Sequence, residues 1–117
     1  MVKLANDKGS IHISTDVFTW LAGDAATRCF GVKGMAGLSK ESGLVQLLRR
    51  ESMTKGVSVR PLDDNGIAID LHIVVDHGVN LNAVGEAIIE RVSYEVTNCT
   101  GTAVRAVNVY IDSMMID

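Results

Sequence analysis

Several residue classes are scarce in this chain of 117 residues, and each shortage excludes a class of protein. Aromatic residues make up 4% of the sequence, so aliphatic side chains must supply the core. The net charge of −3 gives no general attraction to nucleic-acid phosphates. No apolar run reaches the ~20 residues of a membrane-spanning helix. The first residues also lack the apolar segment of a signal peptide, so we expect a cytoplasmic protein.

Cysteine is also scarce. Cys29 and Cys99 are the only two, and they do not form a CxxC pair. A disulfide between them is one alternative, but two buried free thiols are favoured because each residue closes an apolar helical stripe. Cysteine therefore provides no metal site in this sequence, and we expect no cofactor.

The length indicates a single domain. A chain of this size buries roughly 60–70% of its unfolded surface, which is enough for an independent core. No internal repeat, linker or low-complexity segment divides the sequence. We therefore predict one domain over residues 1–117, with a core from about residue 9 to residue 112.

The most informative stretch is 67–76, in which every odd position is a large apolar residue. Four of the five even positions are Ala, Asp, His and Asp. Because successive side chains of a strand point to opposite faces, this pattern predicts a strand with one buried face. Asp70, His72 and Asp76 are then predicted to lie on the other face.

A long helix is predicted directly after this strand. Beyond Gly78, apolar residues recur at helical spacing. Asn80 or Asn82 can cap the start of the helix, and Gly101 is placed to end it. Gly85 costs roughly 1 kcal/mol of helix stability relative to Ala, so we expect it to serve close packing of the helix on the sheet.

Shorter patterns predict the remaining elements: a strand at 9–14 with Ile11 and Ile13 inward, a helix capped by Ser14 or Thr15, a strand or loop at 32–38, a short helix within 39–52, and strands at 57–60 and 104–112. The Asn-Gly turn before residue 67 predicts an antiparallel hairpin of 57–60 with 67–76. The order is β-α-(β)-α-β-β-α-β. It predicts an α+β, two-layer domain, with a small and mainly antiparallel sheet and helices packed on one face.

One group of residues resembles a chemical site. Asp70 and His72 share a strand face, and Asp76 and His77 follow them. A metal site needs three or four converging ligands, so another element would have to contribute, and His12 is the only histidine left to do so. Polar residues on a solvated sheet face explain the same pattern, and this interpretation is favoured. No nucleophile motif is present, so we expect no enzymatic activity.

RNA binding is a further alternative. Residues 31–34, Gly-Val-Lys-Gly, match the G-x-x-G form of the RNA-clamping KH loop. In the KH module this loop joins two helices, whereas the glycine-rich residues after Gly34 interrupt a second helix. The acidic chain also lacks a basic stripe, so nucleic acid is not favoured as a partner.

Local charge and one aromatic residue point to protein contacts. Basic residues cluster at Lys40, Arg49, Arg50, Lys55 and Arg60, where an acidic partner or anionic lipid could bind, although a solvated surface explains them equally well. Trp20 lies off the apolar stripe of the first helix, either against the domain edge or at a partner contact. The candidate interaction surface comprises Trp20, Lys33, Arg49, Arg50, Asp70, His72 and His77.

Taken together, these stretches resemble the alkaline shock protein family of Gram-positive bacteria, also called the envelope stress response family. The matching segments cover residues 9 to about 111, and the most specific are 69–75, 78–80, 100–101 and 104–109. The chain resembles the short, compact branch of this family.

This resemblance implies a function. It implies a cytoplasmic protein without known catalysis, linked to envelope or general stress. It also implies self-association and recruitment to the inner membrane face by a small membrane-anchored partner. A looser implication, from some relatives, is a link to fatty-acid metabolism. The alternative function is therefore a small ligand- or metal-binding regulator, of fatty-acid metabolism for example, that uses Asp70, His72 and His77.

Overall fold

The computed structural model describes residues 2–38 and 43–116. Its elements are, in chain order, β1 (Val2–Asn6), β2 (Gly9–Ile13), α1 (Thr15–Thr27), β3 (Val32–Leu38), β4 (Val45–Leu47), a 3₁₀ helix (Arg50–Gly56), β5 (Val57–Pro61), β6 (Ile67–Asp76), α2 (Leu81–Thr100) and β7 (Val104–Met115). Strand β1 is absent from the prediction, and it pairs with β2 in a separate antiparallel hairpin.

Strand β6 is the centre of the main sheet. β7 runs parallel to it along one edge. β5 and β3 are antiparallel to β6 and share its other edge, with β5 beside the first half and β3 beside the second half. β4 extends the sheet beyond β3. The predicted α+β class and the β5–β6 hairpin are confirmed, and the β6–β7 pair makes the sheet only mainly antiparallel.

One face of the sheet carries the core. The odd residues of β6, from Ile67 to Val75, have no exposed surface, and they share one cluster with Phe18 of α1 and Ile88 of α2. Both helices therefore cover the same face, as the alternation in β6 predicts. We call the opposite face, which carries the side chains of Asp70 and His72, the polar face.

The helix ends follow the predicted local signals. Ser14 Oγ accepts a hydrogen bond from Asp16 N at the start of α1. Asn80 Oδ1 accepts one from the main-chain N–H of Ala83, 3.0 Å away, at the start of α2. Gly101 ends α2 in the left-handed conformation, with φ of 73°. None of the described helices is both long enough and apolar enough to cross a bilayer.

The short helix predicted within 39–52 is wrong. Residues 45–47 form β4 and the 3₁₀ helix begins at Arg50, while residues 39–42, and with them Lys40 of the predicted basic cluster, lie outside the described part of the chain. The reason lies in β3, whose glycines leave room for leucine side chains. A Cβ on Gly34 would come within 2.8 Å of Leu47, and one on Gly37 within 2.8 Å of Leu48. Leu47 and Leu48 have the spacing of a helix in the sequence, but in the structure they pack over the glycines of β3.

Three smaller expectations are also wrong. Both cysteines are free and Cys29 is buried, but Cys99 is exposed because the buried stripe of α2 ends at Val96. Ile11 is 59% exposed, although Ile13 on the same face of β2 packs against the core. No heavy atom outside the helix lies within 4 Å of where a Cβ of Gly85 would stand, so this glycine does not serve packing on the sheet.

Candidate interaction site

The polar face holds a network that links three strands through Asp70. Asn108 of β7 donates to Asp70 Oδ1 over 2.8 Å, and Arg60 of β5 donates to Oδ2 over 3.2 Å. The hydrogen bond from Asn108, together with Arg60, holds the pKa of the Asp70 carboxyl below its ordinary value. Asp70 therefore stays ionised and joins β5, β6 and β7.

His72, two residues further along β6, has two partners on β7. Its ring stacks on Tyr110 with centroids 4.7 Å apart and planes 11° apart. Its Nδ1 lies 2.9 Å from Oδ2 of Asp112, and because a carboxylate only accepts, Nδ1 carries the proton. Asp112 reaches His72 because of a bulge: Ile111 pairs with Ile73 and Ser113 pairs with Val74, so Asp112 is the extra residue.

A groove opens beside His72 on the polar face. It has a volume of about 520 Å³ and is lined by Ala36, Gly37, Val45, Lys55, His72 and Asp112. Its walls thus combine apolar surface from β3 and β4 with a cation, a carboxylate and an imidazole. Such a mixture suits a side chain or a small molecule with both apolar and charged parts.

Trp20 and Arg50 come together at a second cluster. The Arg50 guanidinium carbon lies 5.9 Å from the centroid of the Trp20 ring. Asp24 of α1 is buried, and its carboxylate is 2.6 Å from Nη2 of Arg50 and 2.8 Å from Nη2 of Arg28. Trp20 is nevertheless 48% exposed, so this cluster both fixes the 3₁₀ helix to α1 and presents an aromatic surface.

The other candidate residues lie apart from the Asp70–His72 network. Lys33 of β3 lies 3.7 Å from Asp76 at the end of β6. His77 follows β6 in a turn, five positions after His72, which at the spacing of a strand is a distance of roughly 16 Å. Arg49 precedes the 3₁₀ helix and is exposed. Among the residues that the structure describes, no three His, Cys, Asp or Glu side chains are grouped to hold a metal ion.

The segment 31–34 has a different geometry from an RNA-clamping loop. Gly31 adopts a φ of 87° in the turn after α1, and Val32 already belongs to β3. The segment therefore joins a helix to a strand, not a helix to a helix.

Sequence reasoning missed some participants of these clusters. The alternation of β7 predicts Asn108, Tyr110 and Asp112 on its outward face, and parallel pairing with β6 would have placed them beside Asp70 and His72. For Asp24, which lies among the apolar residues of α1, the sequence offers no signal that it is buried and paired.

Comparisons with known proteins agree with the resemblance. The alkaline shock protein 23 family, described by its cell envelope-related function, matches residues 3–116. "Uncharacterized protein YloU" of Bacillus subtilis is 34% identical over 98% of this chain and 96% of its own length. "Uncharacterized protein Spy1614" of Streptococcus pyogenes serotype M6 is 36% identical over 98% of this chain and 95% of its own.

Solved structures of two MamM CTD variants share the fold, at 18% identity. Their TM-scores are 0.51 and 0.50, and the likeness covers 85% and 88% of this chain and 94% and 93% of theirs. The family match over nearly the whole sequence, together with relatives of similar length, identifies the family. The chain belongs to the alkaline shock protein 23 family of cell envelope-related proteins.

Proposed function

We propose that this protein is a non-enzymatic adaptor at the cytoplasmic face of the cell envelope, linked to the stress response, where it binds an acidic segment of a small membrane-anchored partner. Family membership supports the envelope location. The observation that carries the proposal is a set of cations near the groove of the polar face, two of which have no ion-pair partner among the described residues.

These cations belong to one segment, which we call the basic edge: Arg49, Arg50, Lys55 and Arg60. Arg50 and Arg60 pair with Asp24 and Asp70. The side chains of Arg49 and Lys55 are exposed and make no hydrogen bond or ion pair with any described residue. Lys55 also lines the groove, next to His72. Lys55 at the groove and Arg49 on the same segment, both without an ion-pair partner among the described residues, are complementary to carboxylates of a partner.

Anionic lipid would be attracted by the same charges. The groove favours a protein, because it combines the apolar surface of Ala36 and Val45 with the carboxylate of Asp112. An acidic peptide can place an apolar side chain there and direct its carboxylates to Lys55.

The test is a crosslinking pull-down from native cells, with membranes and cytosol separated beforehand. The double variant Arg49→Glu/Lys55→Glu is compared with Lys3→Glu/Lys8→Glu, a matched charge change on the β1–β2 hairpin. We expect one small membrane-anchored protein from the membrane fraction, at least about tenfold less of it with the basic-edge variant, and no loss with the hairpin variant. The partner's purified cytoplasmic segment should then bind more weakly as salt rises.

Two results would contradict the adaptor. One is recovery only from the cytosol, together with metabolic enzymes. The other is recovery of a membrane protein that is unaffected by the basic-edge variant, since the docking surface would then lie elsewhere.

A second candidate is a regulator that binds a small ligand, and the groove beside His72 favours it, since its volume lies within the usual range of ligand sites. Native mass spectrometry of protein purified without a histidine tag distinguishes the two. A bound metabolite or metal at one per chain, lost in His72→Ala, would support the regulator.

A further inference from the structure

The side chains of the 3₁₀ helix form three rows, because residues three apart lie one above the other in this type of helix. The hydrogen bond from Ser52 N to Arg49 O, 2.9 Å long, extends this spacing back to Arg49. The rows are Arg50, Met53 and Gly56; Glu51 and Thr54; and Arg49, Ser52 and Lys55. Met53 and Gly56 are buried, so the first row faces the core. The third row, which we call the Ser52 row, lies on another side of the helix.

The Ser52 row places a hydroxyl between two cations that have no ion-pair partner among the described residues. Arg49 and Lys55 are exposed, and Ser52 is half-buried. Oγ of Ser52 makes no hydrogen bond with any described residue. Lys55 also lines the groove beside His72. The hydroxyl is therefore available for modification, next to the surface that the adaptor would use for its partner.

A phosphate on Ser52 would be within reach of both cations. Each residue of a 3₁₀ helix advances the chain by about 2.0 Å, so Arg49 and Lys55 lie roughly 6 Å before and after Ser52 along the helix. Both side chains are long enough to span this distance. The guanidinium of Arg49 can bind two phosphate oxygens at once, and the ammonium of Lys55 can bind the third.

Neighbouring hydroxyls lack these contacts. Thr54 shares its row with the carboxylate of Glu51. Ser58 of β5 pairs with Asp70 of β6, so a phosphate at this position would lie beside a carboxylate. Ser52 is therefore the hydroxyl of this segment at which cations would stabilise a phosphate.

The residues before Ser52 also suit recognition by a kinase. Arg49 and Arg50 lie three and two positions before it. The side chain of Arg50 is 61% exposed even though it pairs with Asp24. Protein kinases select substrates by complementary charge, so two arginines before a serine fit a kinase with an acidic substrate cleft.

We propose that Ser52 is a phosphorylation site, and that its phosphate pairs with Arg49 and Lys55 and so prevents the basic edge from binding the acidic partner. A protein kinase supplies the phosphoryl group from a nucleoside triphosphate. The bond from Ser52 Oγ to the γ-phosphorus forms, and the bond from that phosphorus to the bridging oxygen of the β-phosphate breaks. The nucleoside diphosphate leaves, and the catalytic base of the kinase takes the hydroxyl proton.

The charges account for the effect on binding. A phosphate carries about −1.5 to −2 charges at pH 7, which offsets the two cations of the Ser52 row. Arg50 and Arg60 already pair with Asp24 and Asp70. Every cation of the basic edge then has a partner within the chain. This regulation rests on the adaptor function proposed above, because it acts by releasing the acidic segment.

Mass spectrometry of the protein purified from native cells tests the modification itself. Cells are taken from growing cultures, from stationary cultures and from cultures treated with a cell-wall antibiotic. We expect one phosphoryl group that fragment spectra assign to Ser52, not to Thr54. The absence of phosphate from Ser52 in all three cultures would overturn the proposal.

A ³¹P NMR titration tests the contacts and needs no partner. Phosphoserine is encoded in place of Ser52 or, as the matched control, in place of Thr54. A phosphate held by two cations loses its second proton at lower pH. We expect the midpoint at position 52 to be at least about half a pH unit below that at position 54, and the difference to vanish in Arg49→Met/Lys55→Met. Equal midpoints without these substitutions, in proteins with the same circular dichroism, would contradict the pairing.

The pull-down from native cells distinguishes this regulation from the adaptor function. Phosphoserine at position 52 should reduce recovery of the membrane-anchored protein about tenfold, as Arg49→Glu/Lys55→Glu does. Ser52→Ala and phosphoserine at position 54 should each retain most of it. If the charge reversal loses the partner but phosphoserine at position 52 does not, the regulation is wrong and the adaptor stands. If neither changes the recovery, the adaptor is wrong and the regulation with it, whereas the first two experiments still decide whether Ser52 is phosphorylated and paired.

Discussion

At the scale of single residues, the buried carboxylate of Asp24 and its two arginine partners are expected to contribute to stability. Asp24 is the only charged residue that is buried among those described, and two arginines share its carboxylate. A buried carboxylate that loses all its partners costs several kcal/mol, whereas one remaining arginine still compensates it. The two ion pairs should therefore not be additive.

We predict that Arg28→Met and Arg50→Met each lower the free energy of unfolding by about 1 kcal/mol. The double variant should lower it by about 4 kcal/mol, because the carboxylate of Asp24 is then left unpaired. Urea denaturation of all four proteins gives the coupling energy.

Arg91→Met is a suitable control for this cycle, since Arg91 pairs with Glu95 on the exposed surface of α2. It should change the free energy of unfolding by less than about 0.5 kcal/mol. Additive losses from Arg28 and Arg50 would mean that Asp24 is reached by water in the folded protein.

At the scale of elements, the 3₁₀ helix is fixed by a backbone contact. Gly56, its last residue, is buried beneath two strands. A Cβ at this position would lie 2.9 Å from the carbonyl oxygen of Ala36 and 3.2 Å from that of His72. Backbone atoms of a sheet cannot move aside as side chains do. Position 56 therefore requires glycine, because the backbones of β3 and β6 pass too close for a Cβ.

We predict that Gly56→Ala lowers the free energy of unfolding by about 2 kcal/mol, because the added methyl pushes the 3₁₀ helix away from β3 and β6. Chemical denaturation measures the loss. Gly9→Ala is the control, since no heavy atom lies within 4 Å of its Cβ position, and its effect should be within about 0.5 kcal/mol. Equal effects of the two substitutions would show that the space between Gly56 and the strands accommodates a methyl group.

Local sequence patterns predict where α2 begins and ends, but they do not predict the 3₁₀ helix. Asn80 and Gly101 bound α2 through contacts that reach only three or four residues, and such contacts are visible in a sequence. The path from β3 to β5 depends instead on Leu47 and Leu48 finding room over Gly34 and Gly37 of another strand.

At the scale of the whole molecule, two carboxylates hold the strands of the sheet together. Asp70 links β6 to β5 and β7. Asp64 accepts hydrogen bonds from the main-chain N–H of Gly66, 3.0 Å away, and from Arg105 Nε, 2.9 Å away. The bond from Asn108 lowers the pKa of Asp70, and the bond from Gly66 lowers that of Asp64. Both ionised forms therefore stabilise the fold.

The sign of the pH dependence follows. Each folded pKa lies below the ordinary value of 3.8, so the contribution is fully present above about pH 5 and is lost as pH falls through the lowered pKa. We predict that the free energy of unfolding declines below about pH 4, and that Asp70→Asn declines less steeply. Thermal denaturation at a series of pH values measures both slopes. Parallel profiles of the two proteins would contradict the role assigned to Asp70.

The molecule also separates its surfaces. The basic edge belongs to β5 and the 3₁₀ helix, on the other side of β6 from β7, whereas the groove beside His72 crosses the sheet from β4 to Asp112 of β7. This division follows from the central position of β6.

The class of the fold, the hairpin of β5 with β6 and the long helix α2 could be predicted from the sequence, because they rest on periodicity, capping and turn residues, which act between near neighbours. The resemblance of whole segments indicated the family. The sequence also predicted that Asp70 and His72 share a face, because alternation along a strand is a local rule.

The side chains that Asp70 and His72 contact on β7 follow from the tertiary fold. Asn108, Tyr110 and Asp112 lie about 40 residues further along the chain, and their contacts depend on parallel pairing with a bulge at Asp112. The burial of Asp24, the exposure of Cys99 and the open space at Gly85 were equally invisible. Each depends on contacts with residues far away in the sequence. Such contacts form only in the folded chain, so the local preferences of a segment do not reveal them.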